Sequence, residues 1–350
     1  MQSRGTITAD LYMLFRSVML RKSRFYDLVF RKDFAMKLAA TVSEAKKESY
    51  FSALGKNIIK HKYAYMMMLP VLVFYIIFHY KPMYGAIIAF KDYSPTMGIW
   101  GSPWVGFKHF QSFFTGMYFG RLLRNTVLIS FYSLLFGFTA PILFALLLNE
   151  LRSSKYKRVI QTVSYFPHFI SMVVICGLIK TFTLSDGIIN DLIAALGGER
   201  SPMLQNPALF RPIYIISDIW QNLGWDSVIY LAALAGIDTQ LYEACEVDGG
   251  RKFAKMWHIT LPGILPTIII MFIMRIGSLL NVGYEKIILL YNAFTYETAD
   301  VITSFVYRKG LLELNWSYST AIGLFNSVVN FIFLIAVNGI SRKLNDTSLW

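Results

Sequence analysis

Long runs of apolar residues, separated by short polar segments, dominate the chain after residue 62. Four of these runs contain no Asp, Glu, Lys or Arg: 63–80, 125–148, 159–179 and 320–340. A helix of about 20 mostly apolar residues crosses the roughly 30 Å hydrocarbon core of a bilayer. The pattern therefore predicts four uncharged membrane-spanning helices.

Two further apolar runs carry charges: one is 261–280, with Arg275, and the other is 213–237, with Asp218 and Asp226. Charged side chains are costly inside a bilayer and usually face a cavity or a partner helix. We predict that both runs also span the membrane. The fold class is then an all-α membrane protein with six transmembrane helices in a domain of residues 63–341.

Composition excludes most soluble classes of protein. Of the 350 residues, 55% are hydrophobic and 16% are charged, against roughly 45–50% and 25% in soluble domains. A disordered chain could not leave this much apolar surface hydrated. The two cysteines, Cys176 and Cys245, give no basis for a disulfide framework.

The formal net charge is +13, and its placement indicates a membrane surface rather than a nucleic-acid partner. Thirteen of the 34 Lys and Arg residues fall in a predicted cytoplasmic tail, residues 1–62. With this tail inside, the inner segments hold 22 Lys and Arg and the outer segments hold 11. Because basic residues concentrate in cytoplasmic loops, both termini are predicted to be cytoplasmic, including a short C-terminal tail, 342–350.

Residues 11–40 of the basic tail have apolar positions at spacings of three and four, mixed with Arg and Lys. The pattern predicts an amphipathic helix on the inner leaflet, in contact with membrane lipid. A docking arm for a partner subunit is the alternative.

The chain has no recognisable motif for catalysis or cofactor binding. The run from Gly249 to Lys252 lacks the upstream glycine and the hydroxyl of a phosphate-binding loop. The five histidines are scattered without metal-ligand spacing. We expect no metal site and no cofactor on this chain. Two alternatives stay open: an ion channel, and a polytopic membrane enzyme acting on lipid-linked or envelope polysaccharide, with Asp218 or Asp226 as general base.

The polar segment 238–262 predicts two short helices joined by a tight turn. Asp238 can cap a helix over 239–248, because its carboxylate accepts the free N–H groups of the first turn. The glycine pair that starts at Gly249 can end this helix. A second helical run, 252–258, then leads into the next span.

The same segment carries a family motif. It reads Glu243-Ala244-Cys245, three residues, Gly249, nine residues, Ile259, one residue, then Leu261-Pro262. This resembles the EAA loop of type I ABC importer permeases, with Cys245 replacing the second Ala of the family pattern. The resemblance implies that fold, with a coupling helix that docks on an ATPase subunit. It assigns ATPase coupling to eight residues: Glu243, Ala244, Cys245, Asp248, Gly249, Ile259, Leu261 and Pro262.

Other stretches, at 105–110, 145–151 and 323–327, resemble the carbohydrate branch of that family, in particular permeases for oligosaccharides cut from polysaccharides. The resemblance implies a permease subunit, not an enzyme, in an ATP-driven, binding-protein-dependent importer of the bacterial cytoplasmic membrane. The implied partners are two ATP-binding subunits that carry ATP and Mg, a second homologous permease (a heterodimer rather than a homodimer), and an extracytoplasmic solute-binding protein. The Lys and Arg residues of the outer loops fit an acidic oligosaccharide, such as one that contains uronate, and fit equally a neutral sugar whose contacts lie elsewhere.

Polar and aromatic residues inside the predicted spans mark a candidate pathway for the solute. Transporter sites lie near the membrane midplane, and sugars need hydrogen-bonding groups and flat apolar faces. The candidate residues are Trp220, Asn222, Trp225, Asn281, Tyr284, Asn326 and Asn330. The alternative, that these residues satisfy one another across helix interfaces, stays open.

Overall fold

The computed structural model describes residues 59–345 and Leu349. The amphipathic helix predicted within 11–40 lies outside the described residues, as do nearly all of the basic tail 1–62 and part of the tail 342–350.

Helices make up nearly all of the regular structure. The principal ones are α1 (Lys62–Phe90), α2 (Phe119–Asn149), α3 (Ser154–Phe169), α4 (Met172–Phe182), α5 (Pro207–Ala235), α6 (Thr239–Val247), α7 (Lys252–Gly277), α8 (Tyr284–Leu290), α9 (Ile302–Tyr307) and α10 (Trp316–Asn345). Shorter helices lie at Gly98–Gly101, Lys108–Phe114, Ile188–Ala195 and Tyr296–Ala299. The described residues form no β-strand, only an isolated bridge between Lys91 and Trp104. Two compact units divide within α1, between Met83 and Tyr84.

Four helices are long and apolar enough to cross a membrane: α1, α2, α7 and α10. They correspond to the predicted spans at 63–80, 125–148, 261–280 and 320–340. The 29-residue α5 is about 43 Å long at the usual rise per residue. It carries the charges of Arg211, Asp218 and Asp226 and is not among the four. The protein is a multi-pass membrane protein, and the count of six spans stays a prediction.

The run 159–179, predicted to span the membrane, is not one continuous helix in the structure. Instead, α3 and α4 meet at an angle of 101°, with Ile170 and Ser171 extended between them. The bend follows Pro167, which lies in the 3₁₀ turn at the end of α3. A proline has no N–H to donate and its ring disturbs a continuing helix, so an apolar run that looked uninterrupted is broken.

α7 begins at Lys252, earlier than the predicted start of the span at residue 261. The predicted second helical run of 252–258 is continuous with the span through a π turn, Met256–Thr260. Pro262 lies in the first turn of the α-helical stretch that follows. The loop therefore leads into the membrane through one uninterrupted helix.

Three apolar clusters hold the unit from Tyr84 onward together. The first joins α2, α4, α5 and α8, the second joins α2, α5 and α7, and the third joins α2, α9 and α10. Their most buried members include Ile129, Ile175 and Phe210 in the first, Ala145 and Ile264 in the second, and Leu122, Ile302 and Ile322 in the third. Because α5 contributes to two clusters, it is a central helix of this unit.

A fully buried carboxylate, Asp300, ties the segment before α9 to α2. Arg308 donates to both of its oxygens, at 2.7 and 3.3 Å, Ser304 donates at 2.8 Å and Arg121 at 3.5 Å. Asn125 of α2 donates to the Asp300 carbonyl oxygen at 3.0 Å. The two-point guanidinium contact compensates a charge that would otherwise be costly to bury.

Candidate functional site

An unwound segment, residues 278–283, separates α7 from α8. Three of its backbone groups find side-chain partners on other helices: the Leu279 carbonyl accepts from Ser130 at 2.5 Å, the Val282 carbonyl accepts from Thr303 at 2.6 Å, and the Leu280 N–H donates to Asn330 at 3.0 Å. Buried backbone groups need such partners once they leave a helix. Broken membrane helices of this kind line solute sites in transporters.

Three asparagines beside this break orient one another. The Leu280 N–H can only donate, so Asn330 turns its Oδ1 toward it and presents Nδ2 to Asn281 Oδ1, at 3.2 Å. Asn281 Oδ1 also accepts from Asn326 Nδ2, at 2.8 Å. Asn326 Oδ1 is therefore left as a buried acceptor with no hydrogen-bond partner among the described residues.

Three cavities along the break share lining residues. The first, of about 310 Å³, is lined by Tyr214, Asp218, Asn222, Arg275, Asn281, Tyr284, Glu285 and Lys286 among others. The second, of about 250 Å³, includes Asp226, Tyr230 and Arg275, and the third, of about 440 Å³, includes Asn281, Tyr284, Tyr307, Trp316, Asn326 and Ser327. Arg275 lines the first and second cavities, while Asn281 and Tyr284 line the first and third.

Lys286 and Asp218 form an ion pair in the wall of the first cavity. The Lys286 Nζ lies 3.3 Å from Asp218 Oδ1, and the two side chains are 2% and 24% exposed. The same Nζ lies 5.0 Å from the centre of the Tyr214 ring, and Asn222 Nδ2 donates to the Asp218 carbonyl at 3.2 Å. The charge of Lys286 is thus neutralised inside the chain.

The bend between α3 and α4 packs on α5. The rings of His168 and Trp225 are stacked, with centres 4.6 Å apart and planes at 4°. His168 Nδ1 lies 3.0 Å from Asn222 Oδ1. Gly224 allows the backbone of α3 to approach at Ser164. Two predicted pathway residues, Asn222 and Trp225, therefore have partners within the chain.

Trp220 lies on a different side of α5. It lines a mostly apolar cavity of about 450 Å³, together with Ile213, Ile216 and residues of α4. Trp220 and Trp225 are five positions apart in the sequence, which places them about 140° apart around a helix of 3.6 residues per turn. The structure does not bring Trp220 together with the other predicted pathway residues.

Four of the predicted pathway residues line the first or the third cavity: Asn222, Asn281, Tyr284 and Asn326. Asn330 is buried, and its side chain accepts a hydrogen bond from the backbone N–H of Leu280 in the break.

Sequence reasoning missed Arg275 and Lys286 as site residues. The signal for Arg275 was present, because it is the single charge in the run 261–280 and charges within a span are functional candidates. Lys286 follows Glu285 beyond the end of the run 261–280. Charged residues are common at such a position, so the sequence does not mark Lys286 as a site residue. The described part of the chain holds no group of three or more His, Cys, Asp or Glu that could bind a metal ion.

The segment between α5 and α7, which we call the knuckle (residues 238–262), contains the predicted capped helix. Asp238 Oδ1 accepts from the Gln240 N–H at 2.9 Å at the start of α6. After α6, Gly249 has φ +78°, in the left-handed region that favours glycine. The Gly250 N–H donates back to the Cys245 carbonyl at 2.7 Å.

Two side-chain contacts join α6 to the first turns of α7. Lys255 donates to the carboxylate of Glu246, and the hydroxyl oxygens of Tyr242 and Thr260 lie 3.1 Å apart. The hydrogen bond and the charge of Lys255 lower the pKa of the exposed Glu246 carboxyl. The two helices of the knuckle are thus held to each other at two points.

The knuckle exposes apolar side chains on its surface. Val247, Phe253 and Trp257 are 88%, 70% and 57% exposed, and the rings of Phe253 and Trp257 are nearly parallel, with centres 6.4 Å apart. Contiguous exposed apolar surface is typical of contact sites. Of the eight predicted coupling residues, Glu243, Ala244, Asp248, Gly249 and Pro262 are exposed, and Cys245, Ile259 and Leu261 are half-buried.

Comparison with known proteins gives a family match over most of the described chain. A family model described as the binding-protein-dependent transport system inner membrane component matches residues 137–346. Protein LplB of Bacillus subtilis is 44% identical over 89% of this chain and 97% of its own length. The polygalacturonan/rhamnogalacturonan transport system permease protein YteP of the same organism is 43% identical over 87% of this chain and 95% of its own.

Two solved structures are similar as well. A chain in the crystal structure of a bacterial ABC transporter involved in the import of the acidic polysaccharide alginate has a TM-score of 0.78 and 44% identity. A chain of a bacterial alginate ABC transporter in complex with an alginate pentasaccharide-bound periplasmic protein has a TM-score of 0.78 and 43% identity. Each likeness covers 84% of this chain and 99% of the other.

Proposed function

Because this chain belongs to the family of inner-membrane components of binding-protein-dependent transport systems, we propose that it forms one half of the pathway of an ATP-driven importer of acidic oligosaccharides. It is a permease of a carbohydrate ABC importer and not an enzyme. The enzyme alternative, with Asp218 or Asp226 as general base, is set aside together with the ion channel. Asp218 is moreover engaged by Lys286.

An unpartnered buried acceptor, on a residue that lines the third cavity, is the single observation that carries the sugar pathway. Asn326 Oδ1 is buried without a hydrogen-bond partner among the described residues, and Asn326 lines that cavity. Leaving such a group unpaired costs about 1–3 kcal/mol, which a donating sugar hydroxyl would recover. Tyr284, Tyr307 and Trp316 offer flat apolar faces in the same cavity, the second requirement of a sugar site.

Two relatives support an acidic substrate. YteP is named as a transport permease for polygalacturonan and rhamnogalacturonan, and the similar solved structures belong to transporters of alginate, an acidic polysaccharide. In this chain the walls of the first cavity carry two basic side chains, Arg275 and Lys286.

We propose that the knuckle docks on an ATPase subunit and that the transporter contains two such subunits, which bind ATP and Mg. Both termini of this chain are proposed to face the cytoplasm, on the same side of the membrane as the ATPase subunits. The exposed Val247, Phe253 and Trp257 offer an apolar contact surface. Because two contacts join α6 to α7, a displacement of α6 by the ATPase subunit would move α7 with it as a rigid body. The sequence of this chain carries no phosphate-binding loop of its own.

A second homologous permease is proposed to supply the other wall of the pathway, as a heterodimer, and an extracytoplasmic binding protein to deliver the sugar. The structure of the similar alginate transporter with a sugar-bound periplasmic protein supports this delivery route.

The test starts from gentle affinity purification of this chain from its membrane and mass spectrometry of the retained proteins. We expect an ATPase subunit, a second polytopic chain and a binding protein. The complex, reconstituted in liposomes with ATP, is then assayed for uptake of oligogalacturonate. Asn326→Ala should lower uptake at least tenfold, whereas Ser327→Ala should not, because Ser327 lines the same cavity but its hydroxyl already bonds the Gly323 carbonyl. Recovery of the chain alone, or uptake that is indifferent to Asn326, would refute the proposal.

A further inference from the structure

Arg275 is the only charged side chain of the segment Leu261–Gly277. It is exposed, and it lines both the first and the second cavity at the point where α7 breaks. Within the described chain its guanidinium makes no hydrogen bond and no ion pair. A charge left unpaired in an apolar helix is costly, and such residues line functional cavities.

Other basic side chains near the break are already engaged. Lys286 is paired with Asp218, at 3.3 Å, and almost fully buried. Arg211 donates to Asn125 Oδ1 at 2.8 Å, and Arg308 binds the buried Asp300. In the part of the chain that the structure describes, Arg275 is thus the cation of these cavities that is free to meet a ligand.

The acidic side chains around Arg275 explain why a ligand would not be trapped. Asp226 lines the second cavity and Glu285 the first, and neither lies within 4.0 Å of a basic group in the described residues. A planar guanidinium binds a carboxylate through two parallel hydrogen bonds. Asp226 lines the second cavity with Arg275 and is a second carboxylate toward which the guanidinium can turn when a ligand leaves. A transport site must bind its solute weakly enough to release it.

The position of Arg275 also allows a simpler role. It lies in the last turn of α7, where a positive charge is favourable beside the free carbonyl groups of the helix end. That role stabilises the fold to the same extent whichever sugar passes. It predicts no difference between acidic and neutral solutes, and this separates the two roles by experiment.

We propose that Arg275 is a specificity residue of the pathway. Its guanidinium binds the carboxylate of an acidic sugar unit as the oligosaccharide passes the break between α7 and α8. The inference rests on the proposed function and adds to it the residue that recognises the acid group.

The experiment uses the complete transporter in liposomes, with its ATPase subunits, second permease and saturating binding protein. The probes are trigalacturonate and its uncharged methyl ester, and both uptake and ATP hydrolysis are measured. Arg275→Gln should lower uptake of trigalacturonate about 10- to 100-fold, the range expected for losing one charge-assisted two-point contact. Uptake of the ester should stay within about twofold of wild type, and ATP hydrolysis stimulated by the loaded binding protein should persist, because the knuckle is unchanged.

Two further variants keep the result interpretable. Arg275→Lys keeps the charge but loses the planar fork, so it should fall between wild type and Arg275→Gln, and it decides the question if the Gln variant does not assemble. Lys180→Gln removes a positive charge from the exposed end of α4, outside the three cavities along the break, and should transport as wild type does. Equal losses for acid and ester, or unchanged uptake of the acid, would overturn the role of Arg275 while leaving the proposed function standing. A wild-type complex that imports neither probe would instead overturn the proposed function.

Discussion

Gly224 of α5 lies directly against the backbone carbonyl group of Ser164 in α3: a Cβ added at Gly224 would lie 2.5 Å from the Ser164 carbonyl carbon. The obstruction is main chain, which cannot rotate away as a side chain can. Gly224→Ala should therefore push α3 and α5 apart and destabilise the protein by about 1–3 kcal/mol, the usual cost of overpacking. Thermal unfolding of the purified complex measures this.

Gly177→Ala in α4 is the matched control, because a Cβ there meets no heavy atom within 4 Å. In a helix this change should be neutral or slightly stabilising. Equal melting temperatures for the Gly224 and Gly177 variants would contradict the close packing of α3 on α5.

Asn330→Leu removes the acceptor of the Leu280 N–H, and both residues are almost fully buried. An unsatisfied buried donor costs about 1–3 kcal/mol, so the melting temperature should fall, and uptake should fall with it because the break loses its attachment to α10. Ser327→Ala, three residues away on α10, should change neither. An Asn330 variant as stable as wild type would show that the break does not depend on α10.

Gly249→Pro should uncouple ATP hydrolysis from uptake. The native φ of +78° is out of reach for proline, whose ring fixes φ near −65°, and the Gly249 N–H that bonds the Glu246 carbonyl at 3.0 Å is lost. Hydrolysis and uptake are measured on the same liposomes. Gly236→Ala, at a position with φ −86°, should leave the ratio unchanged. A Gly249→Pro complex that still couples would count against the knuckle as the transmitting element.

Arg308→Gln should be one of the most destabilising single changes outside the apolar cores. Burial works against the charge of Arg308, but the hydrogen bond and the charge of Asp300 raise the pKa of its guanidinium overall. Removing Arg308 leaves a buried carboxylate undercompensated, at a cost of about 3–5 kcal/mol. Arg124→Gln breaks only an exposed pair with Glu297, at 3.9 Å, and should cost at most about 0.5 kcal/mol. Chemical denaturation of the two variants side by side checks the contrast.

The Glu246–Lys255 pair gives the knuckle a defined pH dependence. Lys255 lowers the pKa of Glu246. The pair therefore stabilises the knuckle fully above the usual carboxyl pKa of about 4.3, and this stabilisation is lost as the pH falls through the lowered pKa. Hydrogen exchange over the knuckle should be faster in Glu246→Gln than in wild type at pH 7, and the difference should vanish in acid. Glu243→Gln, which breaks no described ion pair, should show no difference at either pH.

The features that the sequence predicts well are local ones. The cap at Asp238 and the end of α6 before Gly249 depend on residues within a dozen positions of each other. The local sequence is therefore enough to predict where this helix begins and ends. The spans at α2 and α10 follow from uninterrupted apolar runs. Membership of the permease family follows in the same way, from a motif within one loop.

The features that the sequence does not predict depend on distant partners. Asp218 and Lys286 are 68 positions apart, and no periodicity relates them. The bend after α3 stays hidden because a proline near the end of an apolar run does not by itself say whether the helix kinks or stops. Residue type alone groups Trp220 with Trp225, although their spacing places them on different sides of one helix.

The hydrogen-bonded side-chain amides of Asn330, Asn281 and Asn326 link the position of α10 to the orientation of the Asn326 oxygen. At one end of the series Asn330 holds the peptide backbone of the break, and at the other end Asn326, which lines the third cavity, keeps a buried oxygen without a partner among the described residues. Any displacement of α10 relative to the break must stretch these short contacts and turn the Asn326 oxygen at the same time. On the proposed sugar pathway, the wall at this point would not open or close without also changing how strongly Asn326 holds a sugar hydroxyl, so release of the sugar and movement of α10 would be a single event.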